Sequence, residues 1–251
     1  HYCDGYQYQA SDFGETDATT GNWKINTNPS VNYGTNGFWL LKDIGTGVDN
    51  SGQSNNYTVN GNLHKGEDNP SNIFCTGQTL TVQSANGGWN YAGTRWAVGP
   101  AAWRMGIGTL GATAGKYYAE FKCTGSDGSR EFNMGVCVPH LADTYVYPTQ
   151  YIGRAGDSVG ITNDGSAYIN GSAQGGFTHA SFDTNDIIGI ALDLDNKKVY
   201  FSKNGTFQNS GDPTSGASGT GALTLPSSTR HYTFGVAAKA GQVQCNWGNG
   251  Y

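Results

Sequence analysis

Residues 186–207, Asp-Ile-Ile-Gly-Ile-Ala-Leu-Asp-Leu-Asp-Asn-Lys-Lys-Val-Tyr-Phe-Ser-Lys-Asn-Gly-Thr-Phe, narrow the possible folds more than any other stretch. Ile188, Ile190, Leu192 and Leu194 recur at period two, which puts them on one face of a β-strand. Ile187, Gly189 and Ala191 keep the opposite face apolar or small, as in a strand buried on both sides. Asp193 then turns polar, toward an edge or loop, and Asp195-Asn196 reads as a turn. Val199 and Phe201 resume the alternation, and Asn204-Gly205 supplies two residues that tolerate the positive φ angles of a type I′ hairpin. The stretch therefore predicts three antiparallel strands joined by tight turns.

The segments around it have the same character. Gln78–Gln83, Thr113–Phe121, Phe132–Val138, Ser158–Thr162, Ser166–Ile169, and the pair Phe234, Val236, Ala238 against Val243, Cys245, Trp247 all read as strands. Gly125–Gly128, Asn163–Gly165 and Lys239–Gly241 turn the chain between neighbours, and Phe132–Val138 is expected to pair back on the strand before it. Nothing has helical periodicity over a useful length. Residues 1–71 differ: polar and aromatic residues alternate, and Phe38-Trp39-Leu40-Leu41 is the one compact apolar knot. Too few apolar residues remain there for an independent core, so this part is expected to lean on the following domain or on another subunit. The expected organisation is a β-rich extension over residues 1–71 and a β-sandwich over residues 72–251. The start at His1 without Met suggests a processed or truncated piece of something longer.

Composition narrows the function. Only 13% of residues are charged, against roughly 25% in ordinary soluble domains, and 39 glycines accompany a surface rich in Asn, Ser and Thr. Such a balance suits surface proteins better than cytosolic enzymes. A net charge of −5 and the lack of any basic run argue against nucleic acid as partner, because that affinity comes from Lys and Arg on phosphates. No apolar run approaches the ~20 residues that span a bilayer, so no membrane insertion is expected. Cys3, Cys75, Cys123, Cys137 and Cys245 lie far apart with no C-x-x-C pair, which reads as buried reduced thiols. Cys123 and Cys137 are the one disulfide candidate.

The central stretch, DIIGIALDLD followed by FSKNG, resembles the strand pair that marks SPRY domains, in particular the SPRY-like modules of tailed-phage virion proteins. Gly115–Cys123, GKYYAEFKC, is similar to the family's strand of the form GKWYWE, and Tyr232–Gly248 is similar to its closing hairpin. The resemblance implies an all-β, SPRY-type antiparallel β-sandwich with the N-terminal β-rich extension before it. That extension in turn resembles the end of a laminin-G-like jelly-roll, through ASDFGETDATTGNW, YGTNGFWL and DNPSNIFC. Together the two resemblances imply a virion surface protein, extracellular, such as a tail fibre, spike or capsid-decoration component.

Motifs for chemistry are present but lack their context. Gly156-Asp-Ser158-Val-Gly160 fits the serine-hydrolase elbow, yet a hairpin follows Ser158 where a helix is needed. Gly106-Ile-Gly-Thr-Leu-Gly111 fits the dinucleotide fingerprint, yet a strand follows it. Asp186, Asp193 and Asp195 read as solvated turn residues in preference to an acid pair or calcium ligands, and the five histidines fall singly. No catalytic residue, metal or cofactor is expected. Aromatic residues in loop-like segments, Trp89, Trp96, Trp103, Tyr145, Tyr147 and Tyr151, with Tyr91 beside them, form the candidate ligand-binding set, since exposed rings stack sugars and anchor protein interfaces. The alternative is that they cap the sandwich or fill subunit contacts. Three readings stay open: a module that binds a host surface glycan or protein, a structural virion subunit without ligand, and a glycan-degrading enzyme, the last supported only by scattered carboxylates. Other virion subunits are expected partners, in a homo-oligomer that would be a trimer in a fibre.

Overall fold

In the computed structural model, residues 1–16, 18, 23–26, 28–40, 47–60, 75–78, 87–91, 93–100, 103–125, 131–139, 151–154, 156–226 and 229–248 are described. The chain divides into two compact units, His1–Phe74 and Cys75–Tyr251. The first unit holds a 3₁₀ turn at Ala10–Asp12 and a two-stranded ribbon of β1 (Gly14–Thr16) and β2 (Trp23–Ile25). Tyr33 and Trp39 are its buried aromatic residues, with the His1 ring 4.8 Å from Trp39 and 5.0 Å from Phe13. The buried Asp49 carboxylate accepts hydrogen bonds from the backbone N–H of Trp39, Ser51 and Asn55 and from the Ser51 hydroxyl, fixing the loop against the knot.

The second unit is an antiparallel β-sandwich. One sheet follows the order β10 (Ser172–Ala173), β9 (Ala167–Ile169), β8 (Ser158–Thr162), β7 (Glu131–Cys137), β15 (Thr233–Lys239), β5 (Arg104–Ile107). The other follows β13 (Thr206–Phe207), β12 (Lys198–Lys203), β11 (Ile187–Asp193), β6 (Lys116–Thr124), β16 (Gln242–Asn246), β4 (Arg95–Val98), β3 (Gly87–Asn90), with β14 (Leu223–Thr224) also pairing β12. Among the described residues there is no α-helix, and no helix is long and apolar enough to cross a membrane.

The period-two reading of residues 186–207 is realised as the meander β11–β12–β13, closed by Asn204 at φ 50 and Gly205 at φ 82. Ile188, Ile190, Leu192, Val199 and Phe201 point into the core with Ala119, Phe121 and Cys123 of β6. The opposite face of β11 is only half covered at Ile187 and Ala191, less than a strand buried on both sides would be. Gly189 is covered because Tyr118 and Ser202 lie over it: a Cβ there would come within 2.3 Å of the Tyr118 hydroxyl.

Several expectations need correction. Phe132–Val138 does not return along β6: β7 lies in the six-stranded sheet between β15 and β8, while β6 lies in the other sheet between β11 and β16. Cys123 and Cys137 therefore sit in different sheets and are not joined in a disulfide, nor are Cys3, Cys75 and Cys245. Burial pushes the Cys137 thiol up to about 12, so it stays protonated. Likewise the chain from Phe234 to Trp247 is not a hairpin, because β15 and β16 belong to opposite sheets and the turn at Ala240 carries the chain across the sandwich. The strand expected at Gln78–Gln83 lies beyond residue 78 outside the described residues.

Asp193 is not solvated. It is 3% exposed, and its carboxylate accepts hydrogen bonds from Lys116 Nζ at 2.8 Å and from the Asn196 backbone and side chain at 2.9 Å each. Asp195 accepts the Gly115 N–H at 2.8 Å. Burial alone would push the Asp193 carboxyl up, but the hydrogen bonds from Lys116 and Asn196 prevail and hold it below its ordinary 3.8. A carboxyl with a depressed folded-state pKa stabilises the fold fully above its ordinary value and loses that contribution as pH falls through the folded value. Unfolding midpoints in urea are therefore expected to drop below about pH 4, and the stability gap between wild type and Asp193→Asn to close as pH is lowered from 6 to 3. A gap independent of pH would remove Asp193 from the acid response.

Candidate functional site

The six-stranded sheet turns Phe132, Met134, Val136, Val159, Ile161, Val236 and Ala238 toward the other sheet, where Trp89 and Trp96 pack against Gly106. Its opposite face carries a row of glycines in register: Gly160 on β8 pairs with Gly135 on β7, which pairs with Gly235 on β15. Tyr168 on β9 and Ile107 on β5 close the two ends of the row. A strand-centre glycine removes a side chain and lets another backbone come close. Here the segment Tyr151–Arg154 occupies the space: Cβ atoms on Gly135 and Gly235 would fall 2.8 and 2.7 Å from the Ile152 side chain, and one on Gly160 would fall 2.3 Å from the Ile152 carbonyl.

The segment is fixed by polar contacts beneath it. Asn133, fully buried on β7, donates through its side-chain amide to the carbonyls of Ile152 and Ile161, both at 3.0 Å. Its side-chain oxygen accepts the Ile152 N–H at 2.8 Å. Ser158, 1% exposed, accepts the Gly153 N–H on its hydroxyl at 2.9 Å, and the Gly171 N–H donates to the Gly153 carbonyl at 2.8 Å. Gly153 itself sits at φ 93, a conformation that favours glycine. The residue at the centre of the hydrolase-like motif is thus a buried anchor at the start of a strand that enters a hairpin.

With its backbone held in a turn against the sheet, the segment presents Tyr151 beside two other rings. The Trp103 ring lies 5.3 Å from it at 49°, and the Tyr168 ring lies 5.4 Å from it at 66°. All three rings are half-buried. Arg154 is exposed, donates from Nη1 to the Tyr151 hydroxyl at 3.1 Å, and holds its guanidinium carbon 5.4 Å from the ring centroid. Burial pushes the Tyr151 phenol up, the Arg154 contact opposes this, and the hydrogen bond shared with Tyr168 adds to it. The result is a row of tilted aromatic rings with one cation at its side, on a rigid sheet.

Of the expected set, the structure brings Trp103 and Tyr151 together in this row. Trp89 and Trp96 are not loop residues: they face each other across β3 and β4, with ring centroids 5.1 Å apart, and Trp247 completes the cluster 6.0 Å from Trp89. Trp96 is 0% exposed and cannot touch a ligand. Tyr145 and Tyr147 lie outside the described residues. Tyr91 is 70% exposed at the β3–β4 turn, apart from the row, with Arg95 over its ring. Tyr168 and Arg154 were missed. Their signal was the recurrence of glycine amid apolar neighbours in Met134-Gly-Val, Val159-Gly-Ile and Phe234-Gly-Val, which marks a sheet face where something else must lie.

The SPRY-domain family model matches residues 116–225. None of the curated proteins matches the sequence. Among solved structures, the SPRY domain of human HERC1 is similar, at 18% identity over 64% of this chain and 92% of that one, with a TM-score of 0.48. A human SPRY domain is similar at 16% identity over 63% of this chain and 94% of that one, with a TM-score of 0.44. The TRIM65 PSpry domain follows at 14% identity over 69% and 89%, with a TM-score of 0.47. The match to the SPRY domain thus covers residues 116–225, within the second unit.

Proposed function

We propose that the protein is a non-catalytic recognition module that binds a partner through the aromatic row Trp103–Tyr151–Tyr168. One observation carries this reading: three half-buried rings and an exposed arginine are held on the outer face of a sheet by a segment whose backbone is anchored at Asn133 and Ser158. Aromatic and Arg side chains on a fixed backbone are what interface hot spots are made of, because little entropy is lost when a partner arrives. The SPRY domain supports the same conclusion, being a fold generally used for protein interaction. The sequence resemblance to phage modules, with the charge-poor, Gly-rich composition, supports a setting on a virion surface, in a fibre, spike or decoration protein, with residues 1–71 derived from a laminin-G-like module. Assembly with further copies or other virion subunits fits the first unit, where Tyr2, Tyr6, Trp23 and Tyr57 are each 45–54% exposed.

The test is a screen of the labelled chain against host-cell surfaces and arrayed surface proteins. Binding found there is expected to fall about ten- to a hundredfold in Tyr151→Ala and in Trp103→Ala, at one to a few kcal/mol each. Ser158→Ala, once shown to be folded, is expected to bind as wild type. Equal binding by the folded Tyr151→Ala and Trp103→Ala variants would remove the row from recognition, and loss of binding in folded Ser158→Ala would revive a role for the serine.

A further inference from the structure

Arg154 gives the row a chemical preference. The described ion pairs join Lys116 to Asp193, Lys203 to Asp186, Arg230 to Asp157 and Lys239 to Glu131. Arg154 is in none of them, although the sequence holds 19 carboxylate residues against 14 Lys and Arg. Its side chain makes one described hydrogen bond, to the neutral Tyr151 hydroxyl, and the nearby Asp157 is engaged by Arg230 at 3.5 Å. A guanidinium has five N–H donors and stays charged, so most of its donors face outward beside the rings. The backbone that carries it is fixed before any ligand arrives, because the Arg154 N–H donates to the Tyr151 carbonyl at 3.1 Å and the Gly153 N–H is held by Ser158.

Ring geometry indicates what lies next to that charge. Planes at 49° and 66° to one another offer no flat platform for a sugar ring, whereas tilted rings leave clefts that accept proline or aliphatic side chains of an extended chain. We propose that the row takes an extended peptide segment of a partner protein bearing an acidic side chain, whose carboxylate pairs with Arg154 while apolar neighbours seat between Trp103, Tyr151 and Tyr168. This rests on the reading of the row as a recognition surface. A charge-assisted contact of this kind is about twice as strong as a neutral one and weakens with salt when exposed.

Selection from a library of random dodecapeptides on the immobilised full chain tests the proposal. Enriched peptides are expected to share an Asp or Glu flanked by Pro, Leu or aromatic residues. Their binding should fall about tenfold or more in Arg154→Gln, in Tyr151→Ala and on replacing the peptide's acid by its amide, and should weaken at high salt. Enriched peptides without an acidic residue that still lose binding in Tyr151→Ala would overturn the acid preference and leave the row as a recognition surface. Peptides indifferent to both Tyr151→Ala and Trp103→Ala would overturn both. Polygalacturonate, included as an acidic glycan, is expected not to bind; Arg154-dependent binding of it with no peptide enriched would overturn the peptide assignment.

Discussion

Trp96→Ala is expected to lower the unfolding free energy by about 3–5 kcal/mol, the range for deleting a large buried aromatic side chain. Trp96 is 0% exposed on β4, paired across the sheet with Trp89 on one side and Val243 on the other. Facing it across the sandwich is Gly106 on β5, where a Cβ would come within 2.8 Å of the Trp96 ring and 2.7 Å of the Trp89 ring. The opposing sheet is thus already hollowed to admit two indoles. Shortening one of them leaves a cavity that the neighbouring strands cannot close, because both are held in their ladders. The Trp96 Nε1 hydrogen bond to the Arg104 carbonyl, 3.3 Å, is lost as well. Urea unfolding followed by circular dichroism measures the change, and a loss below about 1 kcal/mol would mean that Trp96 is not packed between the sheets. Binding at the aromatic row, corrected for the unfolded fraction, should be unchanged. A specific loss there in folded protein would return Trp96 to the set of ligand-contacting residues.

That contrast explains what was legible in the sequence. The meander of β11, β12 and β13 was readable because its inward face alternates cleanly and Asn204-Gly205 announces the turn. Sheet membership was not readable. The alternation in Lys116–Thr124 and in Phe132–Cys137 states which residues point inward but not toward which partner strand, and a short connection invites the assumption that consecutive strands pair. In β7 even the alternation fails: Asn133, Gly135 and Cys137 are as buried as Phe132, Met134 and Val136, because the Tyr151–Arg154 segment covers the second face. Trp89 and Trp96 looked like loop residues through their Gly-rich surroundings. The glycines that leave the space the indoles fill are other ones, Gly77 and Gly106, farther away in sequence. For the site, Trp103 and Tyr151 were found by composition, whereas Tyr168 and Arg154 become visible only when β9 and residues 151–154 are brought to one face.

Asn133→Ala is expected to destabilise the fold by about 2–5 kcal/mol and to disorganise the recognition surface without touching it. Three backbone groups lose partners in this variant: the N–H and carbonyl of Ile152, and the Ile161 carbonyl bonded by the same amide. Each buried group left unsatisfied costs about 1–3 kcal/mol, and the Ile161 carbonyl loses only this contact. Ile152 is then retained on the glycine row by apolar contact alone, so the segment should open locally before the sandwich unfolds. Trypsin provides the readout, since Arg154 supplies a cleavage point that the native anchoring protects. Cleavage after Arg154 under native conditions should be faster in Asn133→Ala than in Ser158→Ala, where the hydrogen bond from the Gly153 N–H is removed and the Ile152 contacts persist. Partner binding should weaken in Asn133→Ala and stay at the wild-type level in folded Ser158→Ala. If Asn133→Ala lowers global stability but leaves native-state cleavage after Arg154 at the wild-type rate, the segment is held by the seating of Ile152 on Gly135 and Gly235. The amide of Asn133 would then stabilise the sheet without positioning Tyr151.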